Sequence, residues 1–525
     1  MPTTRKTVDD GVRVRMYRQG LGDCFLISFP KQGGGRFHLV IDCGVILGTH
    51  DADTLMPKVA RSIAGETGGK LDLLVATHEH WDHLSGFVQA AEVWEKEIEV
   101  GEVWLAWTED PGHPLARELQ KDRRRKVAHL RAAAQRMAGD AAFGAAAQAL
   151  EGVLGFFGGL GAAGGGGGST RDAMEGLAKR SDARVVYRRP GEPPVALKGV
   201  DGVRVFVLGP PEDRTLIRKS DPTRRGAEVY ELAGSMSLAD TFFAGLGVSG
   251  ERVRELGGAA LDPELAELAF PFDRKHRIAA RAAGESRHAD FFRGFYGRTD
   301  DGRDPERDSE GPGGWRRVDG DWLGVANDLA LALDSDTNNT SLALAFELGE
   351  GGPVLLFPAD AQVGNWESWQ QLSWPADPRK PDGAKITADD LLGRTVLYKV
   401  GHHGSHNATL RANGLEKMTS PDLVALIPVN EEMAKKKRWK MPFASLYERL
   451  KGKTRGRVLR VDQGRLPLDE AAKYGLTRAE WKEFERRTPE DTGPDALWID
   501  YHLDHRPRPR RRPTATGRPS ARQPR

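Results

Sequence analysis

Four side chains able to bind a metal, His78, His80, Asp82 and His83, stand within six residues in the run Thr77-His-Glu-His-Trp-Asp-His-Leu-Ser-Gly86. Imidazole nitrogens and carboxylate oxygens are the donors that borderline divalent cations such as Zn²⁺ accept. Upstream, residues 71–77 read Leu-Asp-Leu-Leu-Val-Ala-Thr, an apolar run of the length a buried strand prefers. Downstream, Phe87, Val88, Ala91 and Trp94 recur at helical spacing. The four donors therefore fall on a strand-to-helix turn, which can aim neighbouring side chains in different directions. The plain alternative is a polar, His-rich surface loop, and H-x-H-x-D-H directly behind a strand argues against it. The chemistry expected is metal-dependent hydrolysis.

Other strands must bring the rest of such a site. Residues 12–42 predict an opening hairpin turned at Gly33-Gly-Gly35, with Asp42 closing its second strand. Residues 100–107, 183–187, 203–208, 341–348, 354–357, 395–400, 423–429 and 457–461 have strand character, and a helix is expected around 443–450. Residues 114–157 are Ala-, Arg- and Leu-rich and predict helix, ending in the Gly run 158–168, which has linker composition. The organisation expected is a core in three pieces, 1–108, 183–211 and 334–465. Between them come a helical insert with its Gly-rich linker, 109–182, and a helical or irregular insert, 212–333. A C-terminal helix and strand, 466–505, and a disordered Arg/Pro-rich tail, 506–525, follow. Strand runs separated by helices make this an α/β layered protein.

Four donors so close in sequence cannot satisfy two metals, so further ligands must come from distant strand ends. Asp360 follows the apolar run 354–357, and His402 and His403 follow another, flanked by Gly401 and Gly404, which permit close backbone approach. Taken in order, Asp42, the H-x-H-x-D-H turn, Asp360 and the His-His-Gly-Ser motif resemble the metallo-β-lactamase superfamily. The likeness is closer to its ComEC-type branch, the soluble hydrolase domain of bacterial DNA-uptake channel proteins and of free-standing relatives. Residues 203–211, Asn338-Asn-Thr-Ser-Leu-Ala-Leu344 and Lys399 to Ser405 carry that finer likeness. It extends over about residues 12–107, 183–211 and 338–462 and leaves both inserts and the tail unmatched.

The resemblance implies an αββα sandwich with the metals at one edge of two facing sheets. His78 and His80 would bind a first metal, Asp82 and His83 a second, and Asp360 would bridge them. One of His402 and His403 would complete the second site, and Asp42 would orient ligands from behind. Asp82 and Asp42 are thus the expected catalytic carboxylates, with Trp81, Asn339, Lys399 and Ser405 as candidate substrate contacts. The implied cofactors are two divalent ions, zinc first and manganese as the alternative. Two cations about 3.5–4 Å apart generate hydroxide from a shared water and clamp the attacked and leaving oxygens. The implied reaction is hydrolysis of a phosphodiester, in nucleic acid or a nucleotide.

This chain departs from the pattern in three places. Ala359 precedes Asp360 where the family often has Gly, a change the aspartate survives. Met441 stands before Pro442 where ComEC-type relatives commonly place His, and a thioether is neither a general acid nor a hard-metal ligand. A third histidine for the first metal is missing, since His113, His129, His276 and His288 all lie in the inserts and read as surface residues. Hydrolysis of a small ester, lactone or thioester is therefore the first rival reading, and a non-catalytic metal-binding component of a larger assembly the second. Service in bacterial defence or DNA processing is a third, resting on family analogy.

Composition sets the outer bounds. The 525 residues carry 77 basic and 75 acidic side chains, and eight Arg without an acid fall in the last twenty, which leaves the body at −6. That tail, and the run Lys435-Lys-Lys-Arg-Trp-Lys440, make nucleic acid or an acidic partner an expectation set against plain solvated surface. Trp366, Trp369 and Trp374 admit a stacking wall or, more simply, core packing. Only two cysteines occur, Cys24 and Cys43 on consecutive strands, so a disulfide framework is excluded and buried free thiols are expected. With no signal-like start and no long apolar run, a soluble cytoplasmic protein without membrane partners is expected. The sequence is silent on oligomeric state.

Overall fold

Apolar strands without polar alternation need cover on both faces, and the chain supplies it with two sheets and two outer helical layers. The computed structural model describes residues 11–138, 144–158, 169–219, 285–291, 321–376, 383–437, 439–493 and 496–504. The charged stretch 300–310, most of the Gly run and the tail from 506 lie outside them.

The first sheet contains β1 (Val12–Tyr17), β2 (Cys24–Pro30), β3 (Arg36–Cys43), β4 (Lys70–Ala76), β5 (Glu99–Ala106) and β6 (Arg184–Arg188), in that spatial order. Its other edge is β17 (Trp498–Leu503), paired antiparallel to β1 with Val12 opposite Leu503. The second sheet contains β7 (Val195–Ala196), β8 (Val203–Val207), β9 (Leu344–Leu348), β10 (Val354–Phe357), β13 (Thr395–Lys399), β14 (Val424–Ile427), β15 (Val458–Arg460) and β16 (Gly464–Arg465). A small ribbon joins β11 (Ser373–Pro375) to β12 (Lys385–Thr387). The strands that deliver the expected ligands run in parallel pairs, β3 with β4 and β10 with β13.

Side-chain alternation divides each strand between two cores. Phe25, Ile27 and Phe29 of β2 point into the space between the sheets, where Phe25 meets Phe357 edge-on at 5.6 Å and Phe29 meets Phe346 at 6.0 Å. Cys24 and Leu26 of the same strand point outward into a core shared with α1 (Ala52–Thr67), α2 (Trp81–Gln89) and α3 (Ala91–Lys96). The two cysteines face each other across β2 and β3 as buried free thiols. On the second sheet, Leu355 and Phe357 face inward, whereas Val354 and Leu356 face the outer layer with Trp366, Leu391 and Leu450. The result is the α/β layering that the strand pattern predicts, in the form of the αββα sandwich that the family resemblance implies.

Two sets of helices interrupt this frame. Between β5 and β6 come α4 (Pro114–Ala138), α5 (Gly144–Leu154) and α6 (Thr170–Ala178). Between β8 and β9 come α7 (Arg214–Ile217) and α8 (Asp321–Asn338), and α8 packs on α4 and α5. No helix among the described residues is long and apolar enough to cross a membrane.

The exit of β3 is locked against the first turn of α2 by backbone contact. A Cβ added at Gly44 would lie 2.4 Å from the carbonyl carbon of Asp82. Gly44→Ala should therefore cost about 1–3 kcal/mol of stability, read as a lower urea midpoint at unchanged m-value. An unchanged midpoint would contradict this packing.

Candidate metal centre

β4 ends at Ala76, and the chain turns through Thr77 to His80, whose extended backbone (φ −118°, ψ 151°) starts α2. His78 and His80 thus sit on the turn, while Asp82 and His83 belong to the first turn of the helix. Asp42 at the end of β3 has φ 56°, Ala359 just before Asp360 has φ 53°, and His402 and His403 beyond β13 have φ 43° and 52°. A non-glycine residue held there costs on the order of 1 kcal/mol, and such strain collects at functional sites. The left-handed turns aim the side chains that follow β3, β10 and β13 toward the metal turn.

Asp82, His83, Asp360 and His403 converge with one ligand atom each, all within 4.8 Å of one another. His403 Nε2 lies 2.7 Å from Asp82 Oδ2, and His83 Nε2 lies 3.1 Å from Asp360 Oδ2. The opposite ring nitrogens are anchored: His83 Nδ1 is 2.7 Å from Asp42 Oδ2, and His403 Nδ1 is 2.8 Å from the Pro428 carbonyl. Beside this group, His78 Nε2 and His80 Nδ1 approach to 3.1 Å. His78 Nδ1 is 3.0 Å from Thr77 Oγ1, whose hydroxyl donates to Asp42 Oδ2 at 2.7 Å. That hydroxyl has one hydrogen and spends it on Asp42, so it accepts from His78 Nδ1–H, and His78 Nε2 keeps its lone pair.

These residues fit a divalent cation on three counts. His78, His80, Asp82, His83, Asp360, His402 and His403 are at most 4 % exposed. His80 Nε2, Asp82 Oδ1, His83 Nε2, Asp360 Oδ2 and His402 Nε2 are buried without a hydrogen-bond partner, which is costly unless something binds them. Burial together with neighbouring His83 and His80 holds His78 well below the usual imidazole range, and burial takes His80 to about 3 and His402 to about 4, keeping them neutral. Burial acts the same way on His83, but Asp360, Asp23, Asp42 and Asp82 around it outweigh burial and push it up. Asp360 is held well below the usual carboxylate range, against burial, by Lys399 and His83.

The expected residues divide in the structure. His403 joins the four-residue group. His402 does not; its Nδ1 is 3.1 Å from Ser405 Oγ, and its ring packs at 5.9 Å from Phe156. Lys399 donates to Asp360 Oδ1 at 3.0 Å and pairs with Asp23, so its charge is spent inside the protein. Asn339 donates to the carbonyls of Ile217 and Lys219 and accepts from Asn365 N, tying loops together away from the cluster. Trp81 is buried, against Gly158. Trp366, Trp369 and Trp374 are core residues whose indole N–H groups donate to Ala361 and Ala408, to Asn365 and to Glu192. His129 is buried in α4 rather than at the surface, because α5 and α8 cover that helix; His288 is exposed, and His276 lies outside the described residues.

Three contributors escaped sequence reasoning. Thr77 relays Asp42 to His78. Asp23, after Gly20-Leu-Gly22, pairs with Lys399 and stands 3.8 Å from both His83 Nδ1 and His403 Nδ1. Asp334 of α8 lies 3.7 Å from His80 Nε2. The Gly-x-Gly-Asp turn ahead of a strand was a signal for Asp23, whereas nothing local marked Asp334. The cover over the cluster was also unforeseen: Phe156 and Phe157 lie 5.4 and 5.0 Å from the His80 ring, and Phe156 stacks on Trp439 at 4.8 Å.

Two facing sheets with a buried His/Asp cluster at the ends of parallel strands define an α/β sandwich with a candidate metal centre. Residues 17–207 match the family model of the metallo-beta-lactamase superfamily, and the chain carries a domain of that superfamily. Comparison with curated proteins found no match. Members of this superfamily typically hold divalent metals, and the residues here suit them.

Metal should therefore stabilise the fold. At a thousandfold excess of zinc over Kd the gain is about 4 kcal/mol, seen as a higher Tm that chelation reverses. Asp82→Ala should remove about one equivalent of metal and much of that gain. A Tm indifferent to zinc and chelator would contradict the fit.

Proposed function

We propose that the protein is a metal-dependent hydrolase that cleaves a phosphodiester, in a nucleic acid or nucleotide. The observation that carries this reading is the convergence of Asp82, His83, Asp360 and His403 beside the His78–His80 pair, all buried, with Asp82 Oδ1, His83 Nε2, Asp360 Oδ2 and His80 Nε2 left without a hydrogen bond. When bound, two divalent cations supply a nucleophile from water at neutral pH and electrostatic stabilisation of both departing and attacking oxygens. The chain's own residues set the stage. Asp42 orients His83 directly and His78 through Thr77. Lys399 neutralises one oxygen of Asp360 and leaves Oδ2 facing the cluster. Asp82 Oδ1, unpaired, is placed to accept a hydrogen bond from water, and His402 Nε2, unpaired beside Phe156, to meet a substrate oxygen.

The motifs at 338–344 and 399–405 support a place near the ComEC-type branch, and with it a nucleic-acid substrate. The basic run adds less support, since Lys435 and Lys436 pair with Glu431 and Glu432 one turn away. The aromatic cover of Phe156, Phe157 and Trp439 favours a second reading, hydrolysis of a small ester, lactone or thioester in an apolar enclosure.

A hydrolysis panel separates the readings. Zinc- or manganese-loaded protein should cleave bis(p-nitrophenyl) phosphate, and Asp82→Ala should lose nearly all of that activity while remaining folded. Turnover confined to lactones or thioesters would establish the second reading, and full metal content without turnover on any arm would defeat both. For a polymeric substrate, removing residues 506–525 should flatten the salt dependence of nucleic-acid binding. An unchanged slope would exclude the tail from recognition.

A further inference from the structure

We infer that Asp334, on α8 and outside the matched residues 17–207, is the positioning residue for His80: it receives the Nε2–H of that ring and so presents the Nδ1 lone pair toward His78 Nε2. The inference deepens the metal-centre reading above and rests on it.

A histidine binds a cation through one nitrogen, and an oxygen acceptor on the other nitrogen fixes tautomer and ring orientation. Three rings of the cluster have such an acceptor: Thr77 Oγ1 for His78, Asp42 for His83 and the Pro428 carbonyl for His403. His80 is the fourth. Its Nδ1 faces His78, so its outward nitrogen is Nε2, which is buried without a hydrogen bond. The carboxylate opposite is Asp334, whose Oδ1 stands 3.7 Å away, likewise buried and without a hydrogen bond. That separation is a little beyond hydrogen-bond length and within reach of a small side-chain rotation.

Asp334 is itself held. Asn338, one helical turn on, donates to its Oδ2 at 3.1 Å and leaves Oδ1 directed at His80. The His80 ring also packs on Phe156 and Phe157, which leave Nε2 no contact with water. Through Asp334, the helical segment between β8 and β9 takes part in holding the half-site formed by His78 and His80.

The test compares zinc content and affinity, by elemental analysis and chelator competition, in the full chain and in Asp334→Ala, Asp334→Asn, His80→Ala and the His80→Ala/Asp334→Ala double variant. Asp334→Ala should weaken one zinc equivalent about 10- to 100-fold and leave the other unchanged. Asp334→Asn, which keeps an acceptor oxygen of the same shape, should bind that equivalent at least about tenfold more tightly than the alanine variant. In the His80→Ala background, loss of Asp334 should have no further effect. Equal loss in the Asn and Ala variants would make Asp334 a direct ligand and overturn the inference, as would unchanged affinity in both or an effect that persists without His80. If the alanine variant does not fold, Asp334→Asn decides through the same cycle with His80: weakening that vanishes without His80 supports the inference, and any other result overturns it. Wild-type protein that takes up no zinc would instead remove the metal-centre reading, and this inference with it.

Discussion

The carboxylate of Asp42 is the joint on which the site turns. Buried at the end of β3, it accepts from Thr77 N at 2.8 Å, from Thr77 Oγ1 at 2.7 Å and from His83 Nδ1 at 2.7 Å. One side chain thus fixes the exit of β4, the orientation of a ring on α2 and, through Thr77, the tautomer of His78. Charge-assisted hydrogen bonds of this kind are short and strong, and losing one partner in a dry interior leaves the others unpaired. The tight approach of Gly44 to Asp82 belongs to the same joint, because it brings β3 close enough for Asp42 to reach both neighbours.

Around that joint the protein gathers five buried carboxyl groups, and burial pushes those of Asp23 and Asp334 up while neighbouring cationic groups hold those of Asp82 and Asp360 down. Asp23, Asp42, Asp82, Asp334 and Asp360 are all within the core, and Lys399 neutralises Asp23 and one oxygen of Asp360. Ionised carboxylates away from water are tolerated only when paired or bound to a metal. In the structure, the elevated proton affinities of His83 and His403 answer part of this charge. Divalent cations would answer it more fully, and they would occupy the unpaired oxygen and nitrogen atoms at the same time. The left-handed conformations of Asp42, Ala359, His402 and His403 are consistent with a site whose geometry is worth local strain.

Features that depend on local pattern were legible in the sequence. The runs ending at Ala76, Phe357 and Lys399 became β4, β10 and β13 because both faces of each are covered by apolar side chains, and a donor after each run was therefore placed at a strand end. Features that depend on three-dimensional neighbours were not legible. His402 and His403 are adjacent and equivalent as text, and only the Pro428 carbonyl and the Asp82 carboxylate distinguish them. Asp334 stands at the expected border between insert and core with nothing in the sequence to mark it, and its place emerges only as α8 brings it beside His80. For the three tryptophans after Asp360 the simpler reading, core packing, holds, and their indole N–H groups are all engaged by core acceptors. Phe156 and Phe157 carried no signal for covering a metal site, because that role depends on where the segment after α5 returns.

A dinuclear centre is the proposal most directly tested by anomalous diffraction at the zinc edge from metal-soaked crystals. Two strong peaks are expected in the core, one bonded to Asp82, His83, Asp360 and His403 and the other to His78 and His80. Crystals whose anomalous peaks lie only at the surface, with the His and Asp side chains bonded to one another, would contradict it.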